Sequence, residues 1–209
     1  MIGDTEVTIC NTALLKLGDQ PITALDATSV RSRACTLLYP IARRAVLRDH
    51  PWNFSMVRAD LALFAEVPAW GFTKYFQLPT DFLRLVDTDL RRSGIEWSIE
   101  RAPGEATTVL ATDAATVSIL YVADITDTAR MDSQFVDALA SKLAYELALH
   151  ITSLSERAGA MAQDYGAKLK MAKSSDGMEN FPSVLENFDL IDVRGSSSTY
   201  STARDPLVS

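Results

Sequence analysis

Two histidines are the first residues of this sequence that suggest chemistry, and they lie far apart, at His50 and His150. A lone histidine among apolar residues is typical of a structural role, and we interpret His50 in this way. Its position directly before Pro51 also fits a metal ligand or a general base. His150 follows Glu146 by four residues, a spacing that predicts a pair on a helix surface.

The only two cysteines, Cys10 and Cys35, both lie in apolar segments with helical spacing. No CxxC or HxxxH pair occurs, so the sequence gives a zinc site little support. So few cysteines indicate a reducing compartment, where each thiol behaves as a small apolar core residue. The sequence also leaves a disulfide between them open.

Asp87 and Asp89 form a D-x-D pair that could bind a divalent ion, but alternating acids are more often the solvated face of a strand. Phosphate-binding glycine loops of the GxGxxG or GxxxxGK[ST] type do not occur, nor does a GxSxG nucleophile turn. We therefore predict a protein that is not an enzyme, with no cofactor and no metal.

One predicted helix is rich in arginine, and this is the remaining candidate for a binding surface. A nucleic-acid face needs a basic surface, whereas the whole chain has a formal charge of −7. We favour a solvated or subunit-contacting face and keep a small nucleic-acid-binding regulator as the alternative. The arginines are Arg31, Arg33, Arg43, Arg44 and Arg48.

Size and composition are those of a globular protein: 209 residues, 47% apolar and 22% charged. The first residues lack the basic and then apolar pattern of a secretory signal. No apolar run approaches the roughly 18–20 residues that cross a bilayer. These features predict a soluble protein of the cytoplasm that has no membrane partner.

The N-terminal region predicts two helices. Asp4 is a candidate N-cap for the first, and Gly18 supplies its left-handed end. The second runs from about Thr28 to Asp49, and Pro40 inside it predicts a kink near Leu37 or a break. Its predicted core stripe consists of Ala34, Leu37, Leu38, Ile41, Ala45 and Val46.

From residue 73 onward the apolar period changes from 3.6 to 2, which indicates strands. Because no helical pattern separates them, we expect an antiparallel meander of four or five strands. The predicted strands are Lys74–Leu78, Phe82–Thr88, Ile95–Glu100, Thr107–Ala111 and Thr116–Ala123.

A helical pattern then extends from about Ser133 to Ser174, and a single helix of that length would span roughly 60 Å. Either Gly159 breaks it, or it projects and packs against other subunits. After Gly177 the chain mixes isolated apolar residues with acids and ends in a serine-rich stretch, which predicts a tail that cannot bury itself.

These patterns predict an α+β fold: mainly a helical bundle with a long C-terminal helix, an inserted antiparallel β-meander and an extended C-terminal tail. The expected divisions are N-terminal helices at 1–72, a β-rich insertion at 73–124, the helix that completes the bundle at 125–177, and the tail at 178–209.

Two segments of the sequence resemble a known family. The first contains Ile9-Cys10-Asn11, Leu17-Gly18 and Ala34-Cys35, with Tyr39 and Arg43, and ends at His50-Pro51-Trp52-Asn53-Phe54. The second is the stretch from Phe76 to Leu85, with the pattern L-P-x-D-x-L-R. Over about residues 5–90 the chain is similar to the tail tubular protein A family, the head-to-tail adaptors of short-tailed bacteriophages.

This resemblance implies a structural protein of the virion neck that is assembled in the host cytoplasm. It implies a dodecameric ring of copies of this chain, bound to the portal protein on one side and to a tail nozzle or tail-completion protein on the other. DNA would pass through the ring without specific binding. We expect His50 to Phe54 to join bundle and insertion, and apolar tail residues to dock on the portal, namely Phe181, Val184, Leu185, Phe188, Leu190 and Ile191.

Overall fold

The structure, a computed structural model, describes residues 5–26, 29–103, 107–151 and 155–179. The predicted α+β class with antiparallel sheets is confirmed. The chain divides into two units at Gly177. The helices are α1 (Glu6–Lys16), α2 (Val30–Asp49), α3 (Asp89–Ser93), α4 (Ser133–Ile151) and α5 (Ser155–Met178). The strands are β1 (Met56–Asp60), β2 (Ala62–Leu63), β3 (Lys74–Gln77), β4 (Phe82–Thr88), β5 (Trp97–Arg101), β6 (Thr108–Thr112) and β7 (Ser118–Ala123).

Helix α1 is capped at its N-terminus by a side chain and at its C-terminus by a glycine. Its N-cap is Thr5, whose Oγ1 accepts a hydrogen bond from the Thr8 amide at 3.2 Å, so the expected Asp4 cap is wrong. At the other end Gly18 has φ +71°, as predicted, and donates to the Leu15 carbonyl. This is the Schellman arrangement, in which a left-handed residue satisfies carbonyls that the helix leaves free.

Helix α2 runs through Pro40 without breaking into two helices, so of the two expected outcomes the break does not occur. Its predicted core stripe is wrong at two positions, because Leu37 is 68% exposed and Ile41 60% exposed. The buried face is instead the stripe that starts at Ser32 and continues through Cys35 and Tyr39 at steps of three or four residues. The buried residues are Ser32, Cys35, Tyr39, Ala42, Arg43, Val46 and Leu47.

The segment predicted as one long helix forms two helices, α4 and α5, and Gly159 lies inside the second. Ser141 Oγ lies 2.7 Å from Asp164 Oδ2, although the two residues are 23 positions apart. A straight helix would separate them by about 34 Å. The two helices therefore run back along each other, so of the two expected outcomes the 60 Å projection does not occur, and the helices do not divide at Gly159.

The strands form two antiparallel sheets, with orders β1-β7-β4 and β2-β3-β6-β5. The expected meander is wrong, because neighbours in each sheet are mostly not consecutive in the sequence. Strand pairing also begins at Met56, before residue 73, where the insertion was expected to start. The strand at Phe82–Thr88 has the predicted bounds, and the other predicted strands agree within a few residues.

Strand β7 lies between two apolar cores because its side chains alternate in direction. Val122 packs into the core formed by α1, α2 and α4. Ile119 and Tyr121 point to the other face, into a core shared with the second sheet through Phe76 and Leu110. The fold is therefore layered, with helices on one face of the three-stranded sheet and the four-stranded sheet on the other.

Candidate functional site at the His50–Phe54 junction

The segment from His50 to Phe54 lies between the end of α2 and the start of β1, so it connects the helical layer to the sheets. His50 has the extended conformation that a following proline favours. Since Pro51 has no amide hydrogen, α2 cannot continue. The indole Nε1 of Trp52 turns back and donates to the Val46 carbonyl at 2.9 Å. Trp52 thereby satisfies one of the carbonyls left without an intrahelical partner at the helix end.

Asp176, near the C-terminal end of α5, holds this turn with its side chain. Its Oδ2 lies 2.9 Å from His50 Nε2, and its Oδ1 accepts a hydrogen bond from the Asn53 amide at 2.9 Å. The Asn53 side chain donates to the Asp176 carbonyl at 2.8 Å. Asp176 is buried, and a buried carboxylate with several donors is a strong local constraint. We call these three contacts the Asp176 clamp.

Aromatic rings fill the space beside the clamp. Trp52 is fully buried and packs edge-to-face against His50 at 4.9 Å and against Phe135 of α4 at 5.1 Å between ring centroids. Phe54 meets the same Phe135 ring edge-to-face at 5.0 Å. Such pairs contribute about 0.5–1.5 kcal/mol each beyond the area they bury. The junction therefore ties α2, β1, α4 and α5 together, and His50 contributes to it through the Asp176 contact and the Trp52 ring.

The arginines of α2 do not form one solvated face. Arg43 is buried, and its Nη2 lies 2.9 Å from Asp124, which follows β7. Arg31 pairs with Asp19 at 2.7 Å. Arg48 donates to the carbonyl of Leu83 at 2.6 Å. The Arg31 guanidinium holds the pKa of the Asp19 carboxyl below its usual value.

A second polar cluster joins α1, α4 and α5. Lys16 lies 3.3 Å from Asp137 and 3.0 Å from Asp164, and Lys168 also pairs with Asp137. Burial opposes the charge of Asp137, but hydrogen bonds from Lys168 and Lys16 outweigh it and lower the pKa. The hydroxyl of Ser141 and the Lys16 ammonium together lower the pKa of Asp164. These contacts hold helices against each other.

Cys10 and Cys35 are free and fully buried, so their interpretation as core residues is confirmed and they form no disulfide. The neighbouring Cys35 thiol and burial together raise the pKa of Cys10. Burial also raises the pKa of Tyr39. A thiol with a raised pKa carries little thiolate and is a poor nucleophile.

The two acids of the D-x-D pair do not share a strand face. Asp87 belongs to β4, whereas Asp89 is the first residue of α3. Asp89 accepts a hydrogen bond from the Ser118 amide at 3.1 Å. The shallow cavity beside them is also lined by Arg58 and Arg92, whose positive charge disfavours a cation there.

The sequence interpretation missed Asp176, because nothing near it in the chain marks it as the partner of residues 126 positions earlier. The expected pair of His150 with Glu146 and the portal-docking residues Phe181, Val184, Leu185, Phe188, Leu190 and Ile191 lie outside the described residues. Glu146 pairs with Lys142 at 2.9 Å.

Among the residues that the structure describes, no three of the His, Cys, Asp and Glu side chains lie together in a way that could hold a metal ion. Over the same residues no helix has the length and apolar character needed to span a bilayer. A scan against protein-family models and a search of curated proteins found no match for this chain.

Proposed function

We propose that this chain is a structural subunit of a phage neck, a head-to-tail adaptor that forms a ring between portal and tail. The observation that carries the proposal concerns the residues on which the family resemblance depends: their side chains make contacts that hold the fold together. His50, Trp52 and Asn53 are engaged in contacts that fix helices against strands, and Arg43 is paired with Asp124. The residue types that suggest chemistry act here as a scaffold.

Such a scaffold suits a subunit that must keep its conformation when force acts on it. The Asp176 clamp and the aromatic cluster connect four elements at one point. Interiors packed in this way transmit strain and do not absorb it, because they have low compressibility. A ring built from such subunits would keep the relative positions of its portal side and its tail side.

The net charge of −7 supports a channel through which DNA passes without being held. Affinity for DNA comes mainly from cations that neutralise phosphates. The α2 arginines described above have acceptors within the chain, Asp19 for Arg31 and Asp124 for Arg43. The pairing of these arginines within the chain favours the adaptor over a nucleic-acid-binding regulator. The regulator hypothesis predicts that the isolated protein binds a fluorescent DNA duplex in a salt-sensitive way.

The test is to mix the protein with purified portal particles and image them by negative-stain electron microscopy. We expect an added ring of density below the portal. Portal particles that gain no density at saturating protein would overturn the adaptor proposal.

The apolar residues from Phe181 to Ile191 are proposed to dock on the portal, because a segment with isolated apolar residues can order itself on a partner surface. A chain that lacks residues 178–209 should keep the circular-dichroism spectrum and melting transition of a folded protein and should fail to join portal particles. Normal incorporation of this shortened chain would contradict the docking idea while leaving the adaptor proposal intact.

A further inference from the structure

The loop between β2 and β3 is anchored at both ends. The Phe64 amide donates to the Tyr75 carbonyl at 2.8 Å, and Phe64 and Phe72 pack on the small apolar cluster around Val109. The amide and the hydroxyl of Thr73 both donate to Asp113, at 2.8 and 2.9 Å. The ends of the loop are therefore fixed to the four-stranded sheet.

The tip of this anchored loop is apolar and exposed. Trp70 is 88% exposed and Val67 is 66% exposed. Gly71 has φ +86°, which makes the sharp turn that follows the tryptophan. Glu66 is the single charged residue between positions 61 and 73. We call residues 66–70 the tryptophan tip: a large apolar side chain with one negative charge beside it.

A surface of complementary character lies on α2. Val30, Leu37 and Ile41 are exposed on the side of the helix opposite to its buried stripe. They fall at steps of seven and four residues, so they follow one line along the helix. Arg33 and Arg44 are exposed and lie three residues after Val30 and Ile41, respectively. Arg44 also lies 3.8 Å from Asp124. We call these five residues the outer face of α2: an apolar line flanked by cations.

We infer that the tryptophan tip of one copy packs on the outer face of α2 in a second copy. Charge complementarity supports this occupant, because the acid of the tip meets the cations of the helix, and an indole also packs well against a guanidinium. Exposed tryptophan is a typical centre of binding energy in protein interfaces. An anionic membrane is a poorer partner, since the chain has a net charge of −7 and the tip has an acid.

The two surfaces are different, so the contact is head-to-tail. A contact of that type generates a ring when its rotation closes and a filament when it does not. The inference rests on the proposed function because it identifies the two surfaces through which neighbouring subunits of the proposed ring would contact each other.

The contact can be tested in the isolated full-length protein by cysteine trapping. Ala69→Cys places a thiol in the tip and Thr36→Cys places one beside Leu37, both at exposed positions. The two native cysteines are fully buried and so do not compete. The two variants are mixed, one carrying an affinity tag so that the mixed product is recognised by its size, and treated with a short bismaleimide.

The control pair is Ala69→Cys with Leu15→Cys, because Leu15 is a similarly exposed leucine on a different helix. We expect the mixed product from the first pair at several times the yield of the control. Equal yields, or no product from either pair at high protein concentration, would overturn the inference.

Substitutions then test the chemistry of the contact. Trp70→Ser should weaken trapping by about 30-fold or more, the size expected for a central interface tryptophan. Glu66→Arg and Arg44→Glu should each lower the yield, and the two together should restore it. A double reversal no better than the single changes would contradict the charge pairing. Binding to anionic vesicles that is lost in the Trp70→Ser variant would assign the tip to a lipid surface and overturn the inference.

The outcome is separable from that of the proposed function. The cysteine-trapping experiment contains no portal protein, whereas the adaptor proposal is tested by the density added to portal particles in electron micrographs. Trapping without added density would leave the contact standing and remove the adaptor role. Added density without trapping would leave the role standing and remove this contact.

Discussion

Replacing Asp176 by alanine should destabilise the fold by removing the clamp on the turn after α2. The side chain of Asp176 is only 8% exposed and contacts His50 Nε2 and the Asn53 amide, each at 2.9 Å. The alanine variant leaves both groups without their acceptor in a largely buried site. The hydrogen bond from the Asn53 side chain to the backbone carbonyl of residue 176 would remain.

The magnitude follows from these contacts. A hydrogen bond to a charged group contributes about 1.5–3 kcal/mol, and a buried donor left unsatisfied costs about 1–3 kcal/mol. Since the site can relax and admit water, we expect a loss of about 3 kcal/mol for Asp176→Ala. Asp176→Asn keeps one carbonyl acceptor and should cost about half as much. For a chain of this length, 3 kcal/mol corresponds to roughly 6–12 °C in Tm.

The measurement is urea unfolding followed by circular dichroism, with the midpoint and slope compared across variants. The control is Glu96→Ala at an exposed acid, which should change the free energy of unfolding by less than about 0.5 kcal/mol. A double-mutant cycle with His50→Ala should give a coupling energy of about 1 kcal/mol or more. A loss below 1 kcal/mol for Asp176→Ala, or strict additivity with His50→Ala, would refute the clamp.

Other predictions concern the remaining buried groups. Trp52→Phe keeps an aromatic ring but leaves the Val46 carbonyl without its donor, so unfolding in urea should show a loss of about 1–3 kcal/mol; an unchanged midpoint would contradict the capping role. Because the carboxyls paired with Lys16 have lowered pKa values in the folded state, they stabilise the fold above their ordinary pKa of 3.8, and this stability is lost as the pH falls through that value and below. Lys16→Met should make this acid dependence shallower in pH-dependent unfolding, and an identical profile would count against the pairing. Cys10 and Cys35 should react with a thiol reagent such as Ellman's reagent only as fast as the protein unfolds, and rapid labelling of the native protein would show that they are accessible.

The sequence was sufficient where a local signal determines the structure. The ends of α1 and α2 follow from Gly18 and Pro51, because each residue imposes its backbone geometry without help from distant contacts. Strand β4 has the predicted bounds because its composition and flanking turns define it. The helix end just before the His50–Phe54 segment likewise follows from Pro51, but the strand that begins at Met56 was not predicted, because the change of apolar period was placed at residue 73.

The sequence was insufficient where two different faces of one element have an equally good apolar pattern. Helix α2 carries two apolar lines, one through Cys35 and Tyr39 and one through Leu37 and Ile41. Helical spacing fits both, and only packing against α4 decides which is buried. Strand order is a further example, since alternation identifies a strand but does not identify its neighbour. Asp176 has no local signal, because its partners are brought to it by the whole fold.

The large sequence separation within the clamp has a consequence for synthesis. Asp176 lies 126 residues after His50, and chains are made at about 5–20 residues per second, so these partners are produced roughly 6–25 s apart. For most of that interval the newly made α2 has neither α4 nor α5 to cover its buried stripe, because α4 ends only at Ile151 and α5 at Met178. The helical layer therefore closes only when nearly the whole chain has been translated. Until then, the nascent N-terminal region presents apolar surface on both sides of α2 and is the part of this protein most in need of a chaperone.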